Sequence, residues 1–159
     1  MTGPERDSFF MQLALDQARA AAELGETPVG AVLVAADGEI LAAAGNGPIR
    51  LHDPTAHAEI LALRAGAAAT GNNSLPPGTR RDGTRDPCAM CAGGISHARD
   101  SRLVYAAADP KGGAVAHGPQ FFASPTCHWR PEVVDGPHGD TASLLLKQLF
   151  HARLQKGQP

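Results

Sequence analysis

The chain has 159 residues, 43% of them hydrophobic, with fourteen Lys and Arg against sixteen Asp and Glu for a net charge of −2. That is enough for one continuous core across residues 1–159 and too little for two domains, and it excludes nucleic-acid binding by bulk attraction, which would need a local basic patch instead. No apolar run reaches the roughly 20 residues of a membrane span, and three cysteines behind no apolar leader do not suggest a secreted disulfide framework, so a soluble, cytoplasmic protein is expected.

In chain order, FFMQLALDQARAAAEL at 9–24 reads as an amphipathic helix with Phe9, Leu13, Ala20 and Leu24 on one face and Gly25 as its stop. VGAVLVA at 29–35 and EILAAA at 39–44 read as two antiparallel strands, because Asp37-Gly38 between them is a strong hairpin signal. A Gly-, Asn- and Pro-rich loop at 45–54 leads to a second helix at 58–69, ended near Gly71. After a further loop at 71–78, Pro87 stands where a first-turn proline belongs for a helix over CAMCAGGISHA, and RLVYAAA at 102–108 reads as a buried strand. A closing helix is expected over 142–154, where Leu145 and Leu149 recur, with disorder-prone ends beyond the folded part. The alternation implies a three-layer α/β domain with helices on both faces of one sheet.

Chemistry concentrates in two short stretches, TAHAEIL at 55–61 and DPCAMCAGG at 86–94. Cys88 and Cys91, three apart at the opening of a helix, can reach one ion, and the helix N-terminus favours their thiolates. Two thiolates and one histidine make a three-ligand zinc set that leaves the fourth position for water, the mark of a catalytic site. His57 is the best third ligand. Glu59 then stands close enough to exchange a proton without binding the metal. Since residues two apart on a helix point to nearly opposite sides, His57 has to lie at the helix entrance, with Thr55 as a plausible cap. Taken singly, H-x-E is ordinary surface chemistry and C-x-x-C a redox pair or half of a structural zinc site. Together and in this order they form the signature of zinc-dependent nucleobase deaminases, tRNA adenosine deaminases among them. Cys127 and His128 read as structural or surface groups, and the remaining histidines as solvated or packed.

With these motifs, TPVGAVLV at 27–34, GN at 45–46, DPKGGAV at 109–115 and FFASPTCHWRPEVVDG at 121–136, the chain resembles the bacterial tRNA-specific adenosine deaminases of the cytidine deaminase superfamily. The resemblance implies a mixed five-stranded sheet flanked by helices, a homodimer, one zinc per chain, and inosine made at the wobble position of the tRNA anticodon stem-loop. It implies His57, Cys88 and Cys91 as zinc ligands and Glu59 as proton shuttle. It further implies Asn46 and the Ala58 backbone as contacts to the flipped adenine, Asp109 and Lys111 as groove-lining residues, and Phe150 with Arg153 on a C-terminal helix beside the loop. Arg50, Arg99, Lys111 and Arg153 are the cations expected to cluster near the pocket.

One stretch departs from that family. TRRDGTRD at 79–86 has five charged residues, a glycine and no large apolar side chain where a hydrophobic central strand belongs, and burying unpaired charges is costly, so it is not expected to be a buried strand. Two alternatives to the tRNA enzyme therefore stand: a free-base deaminase acting on guanine or cytosine, and a catalytically idle zinc-binding relative.

Overall fold

The computed structural model describes residues 1–155. Five strands, β1 (Gly30–Val34), β2 (Ile40–Gly45), β3 (Arg80–Arg85), β4 (Arg102–Ala107) and β5 (Glu132–Asp135), form one sheet in the order β2-β1-β3-β4-β5. β1 pairs antiparallel with β2 and β3, while β4 runs parallel to both β3 and β5, so the sheet is mixed. Five helices cover it: α1 (Gly3–Glu23), α2 (Pro48–Leu51), α3 (Ala58–Thr70), α4 (Ala89–Ala98) and α5 (Gly139–Gln155). α1 and α5 pack on one face around Phe10, Met11, Leu15, Val32, Val34 and Val104. α3 lies on the other around Val29, Leu33, Ala58, Ala62 and Leu75, and α4 follows it there around Ile95 and Leu103. The three-layer α/β/α arrangement is the expected one. The far C-terminal end, expected to be disorder-prone, lies outside the described residues.

Several local expectations need correction. α1 begins at Gly3, capped by the Thr2 hydroxyl on the Glu5 amide, and its buried stripe is Phe10, Met11, Ala14, Leu15, Ala18 and Ala21. Phe9 and Leu24 are exposed. In so alanine-rich a helix the bulky residues at 9 and 24 pointed to the wrong face; the small residues at 14, 18 and 21 mark the true one, because β1 comes in against them. Gly30 shows how close that approach is: a Cβ there would run into the Ala14 carbonyl. Thr55 does not cap α3; its amide and hydroxyl both bond Asp53 Oδ1, at 2.9 and 2.7 Å. Pro87 stands just before the N-cap Cys88 and not inside the helix. The loop at 45–54 contains α2, whose exposed first amides, those of Ile49 and Arg50, are bonded by the buried Glu26 carboxylate at 3.2 and 2.7 Å.

The largest correction concerns TRRDGTRD. Arg80–Arg85 is β3, the central strand, and Arg81 and Asp82 are fully buried. It is tolerated because its charges are paired. Toward α1, Arg80 bonds Asp82 at 2.6 and 2.9 Å and Asp7 at 2.7 Å, and Arg102 joins Asp7 at 3.1 Å. The Arg80 guanidinium also lies 5.1 Å from the Phe10 ring centroid, a cation–π distance. Toward α3, Arg81 bonds Asp100 at 2.5 Å. At the strand end Arg85 meets Asp109 at 2.6 Å. Thr84 presents its hydroxyl to the Gly30 amide at 3.1 Å, adding a side-chain bond between β3 and β1. A charge judged as unpaired in sequence therefore meets its partner only after folding.

Breaking a buried charge pair costs about 3–5 kcal/mol, and the lower end applies to Asp82, because Arg80 keeps Asp7 as a second partner. Asp82→Ala is therefore expected to lower unfolding free energy by about 3 kcal/mol in urea titrations at unchanged slope. A loss below about 1 kcal/mol would contradict the pairing.

Candidate active site

The metal-ligand set is assembled by two helix entrances. His57 is the N-cap of α3, with extended backbone at φ −68 and ψ 151, so its ring turns away from the helix while Glu59 sits inside the first turn. That removes the conflict between residues two apart. Cys88 is the extended N-cap of α4, and Cys91 lies in that helix's first turns, buried. β3 ends, and antiparallel β1 begins, beside these entrances, which brings them together.

His57 Nδ1 lies 3.5 Å from each of the two Sγ atoms, and the three ligand atoms are within 4.8 Å of one another. Bond lengths of about 2.3 Å to sulfur and about 2.0 Å to nitrogen at a tetrahedral angle put such atoms about 3.5 Å apart, so the set fits zinc. Among the described residues, it is the one group of three His, Cys, Asp or Glu side chains gathered this closely. Cys127 is buried against Ser96 and the Trp129 carbonyl, and His128 is exposed, so neither forms a second centre.

The local electrostatics suit a cation. The Cys88 thiol is lowered to about 4, first by the hydrogen bond from Cys91 and then by His57. Cys91 is pushed up because it donates to Cys88 and is buried beside Glu59. His57 is raised, chiefly by its bond to Cys88. Burial pushes the Glu59 carboxyl up, opposed by its own backbone amide and by the Arg81 charge. Glu59 Oε2 stands 3.5 Å from Cys91 Sγ, adjacent to the ligand set but outside it.

These groups open into a pocket of about 310 Å³ lined by Asn46, His57, Glu59, Arg85, Cys88 and Asp109, among others. Asn46 lines the pocket beside His57. Ala58 is buried at the first position of α3, where helix amides have no intrahelical carbonyl to bond. Burial raises Asp109, but the Gly112 amide and the Arg85 guanidinium outweigh it and hold the carboxyl below its usual range. Lys111 is exposed on the same loop and outside the lining. Phe150 and Arg153 sit on α5, also outside it.

The expected cation cluster does not form as a unit. Arg99 is the left-handed C-cap of α4, at the opposite end from Cys88, with its guanidinium 5.8 Å from the Trp129 ring centroid. A ten-residue helix is about 15 Å long, which takes Arg99 away from the pocket. Arg50 on α2 stays near Asn46.

Sequence reading missed two pocket residues inside the anomalous stretch. Arg85 borders the pocket at the end of β3. Asp86, almost fully buried, holds the following loop through the Ala116 amide at 3.4 Å and His117 Nδ1 at 3.1 Å. A Cβ at Gly113 would collide with the Asp86 carboxylate, which explains the glycine there. The usable signal was the position of Asp86 directly before Pro87.

Comparison with known proteins places the same motifs in context. Residues 4–107 match the model of the cytidine and deoxycytidylate deaminase zinc-binding region. A tRNA-specific adenosine deaminase of Agrobacterium fabrum is 48% identical over 144 residues, covering 91% of this chain and 93% of its own. A solved tRNA:A34 deaminase, studied for A-to-I editing at the wobble position, superposes with a TM-score of 0.84 at 48% identity, covering 87% of this chain and 99% of its own. The guanine deaminase of Nitrosomonas europaea has a TM-score of 0.76 at 23% identity, covering 88% of this chain and 82% of its own; that likeness is one of fold.

Proposed function

Because the chain belongs to the cytidine and deoxycytidylate deaminases, and within them to the tRNA-specific adenosine deaminases, we propose that it converts adenosine to inosine at the wobble position of a tRNA anticodon. It is a zinc-dependent hydrolase, and the balanced reaction consumes one water and releases one ammonia. The observation that carries the reading is Glu59: a buried carboxylate facing the pocket, beside three ligand atoms spaced for zinc and not one of them.

In this reading His57, Cys88 and Cys91 hold the ion. Zinc, when bound, supplies a Lewis acid that makes water ionise near neutral pH. Glu59 takes one proton of the attacking water on its carboxylate and delivers it to the purine N1. It then takes the second proton, from the hydroxyl now on C6, and passes it to the amine, which leaves as ammonia as the C6–N bond breaks and C6=O forms. Its raised pKa matches a group that must carry a proton and give it up. Asn46 and the unpaired amides at the α3 entrance orient the base, while burial of Glu59 keeps bulk water from competing for the proton. Asp109, held by Arg85, and Lys111 line the approach for flanking nucleotides.

No helix among the described residues is long and apolar enough to cross a membrane. A homodimer working in the cytoplasm, with residues 1–159 as one domain, completes the proposal. The idle alternative drew its strength from the charged segment at 79–86. With those charges paired inside the sheet, that ground is removed.

An adenosine splayed from a loop needs contacts to its neighbours as well as a pocket. Lys111→Glu reverses an exposed charge without touching the ligand set. It is expected to weaken stem-loop binding and to flatten the dependence of affinity on salt by about one to two units of slope, with zinc content unchanged. Unaltered binding and slope would remove Lys111 from the RNA face.

A further inference from the structure

β3 places a guanidinium under the reacting carboxylate. Arg81 is fully buried, and its Nη1 donates to the backbone carbonyl of Glu59 at 2.6 Å while its Nε donates to Asp100 Oδ2 at 2.5 Å. Asp100, equally buried, follows directly on the C-cap of α4, and its own carbonyl accepts the Trp129 indole N–H at 2.7 Å. One side chain therefore joins the first turn of α3, which carries Glu59, to the far end of α4, the helix that begins at Cys88. Two residues along β3, Gly83 has no side chain where a Cβ would stand 4.0 Å from Glu59 Oε1. The strand thus bonds the Glu59 backbone at one position and comes within ordinary contact distance of its carboxylate two residues on.

A buried ion pair is weak evidence of stabilisation, since an apolar pair of similar volume does as well or better. This pair is also incompletely bonded, as Arg81 Nη2 and Asp100 Oδ1 have no partner among the described residues. What its geometry supplies is orientation. We propose that Arg81 is a positioning residue for Glu59, fixing the first turn of α3 so that the carboxylate stands in register with the pocket. The proposal rests on the reading of Glu59 as proton carrier. A reacting group displaced by about 1 Å can lose on the order of 100-fold in rate, so the effect belongs in kcat and not in substrate binding.

Two full-length, zinc-loaded variants separate this role from a structural one. Asp100→Asn removes a charge but leaves the Arg81 bond to the Glu59 carbonyl; it is expected to unfold at lower urea and to keep kcat within about threefold of the parent. The double variant Arg81→Leu, Asp100→Leu replaces the pair with apolar bulk; it is expected to recover stability and zinc content yet to lose about 10- to 100-fold in kcat at unchanged KM. The proposal is overturned if kcat follows stability across the two, if the double variant turns over like the parent, or if either fails to fold with its zinc, because the pair would then be a strut of the core. Failure of the functional reading would show elsewhere, as a parent protein that does not deaminate the stem-loop.

Discussion

Glu59→Ala protein is expected to bind one zinc per chain like the parent and to lose turnover by about a thousandfold or more. The substitution removes no ligand atom, since the set consists of His57 Nδ1 and the two sulfurs. It removes the proton carrier, and a positioned general acid–base contributes about 10²–10⁴-fold. Glu59 has to serve both halves of the reaction, so its loss falls at the upper end of that range. The pocket offers no replacement in reach: Asp86 is committed to the loop at 116–117 and Asp109 to Arg85 and Gly112. Turnover within tenfold of the parent would show that another group moves the proton. Loss of zinc together with activity would place Glu59 among the ligands.

The second large effect is on the metal. Cys88→Ala and His57→Ala are each expected to bring zinc from about one ion per chain to near none in metal analysis of purified protein, and to abolish turnover. Structural and catalytic zinc sites rest on three or four protein ligands, and a set of three has no spare. No second cluster stands ready to substitute among the described residues. The folded core should survive, because both positions are helix N-caps without side-chain capping bonds and neither belongs to a core cluster. Full zinc in either variant would refute the assignment.

Much of the site could be read from sequence because its chemistry is local. The hairpin at Asp37-Gly38 formed as expected, with Asp37 Oδ1 accepting the Glu39 amide at 2.9 Å and Gly38 at φ 93. H-x-E and P-C-x-x-C each depend on one helix entrance, so their spacing carried the geometry with them. Other features depend on contacts far away in the chain. β3 is central although charged because Asp7, Asp100 and Asp109 come to meet its arginines, and no window of sequence contains those pairs. β5, absent from the residue-by-residue reading, has only four residues with an exposed or half-exposed pattern, so it carries no apolar run to betray it; only the family resemblance implied a fifth strand. The α1 face was misjudged because side-chain size, and not the closeness required by Gly30, was used to find it. Arg99 was placed with the pocket cations on charge alone, whereas the length of α4 carries it to the Trp129 side.

The most direct test is to incubate the purified, zinc-loaded protein with an anticodon stem-loop bearing adenosine at the wobble position, beside free adenosine, guanine and cytosine, and to measure deaminated product in each. Inosine forming at the wobble position, with the stem-loop far preferred over free adenosine and little turnover of guanine or cytosine, is the expected result. Preferential deamination of a free base, or no product from the stem-loop while zinc is fully bound, would contradict it.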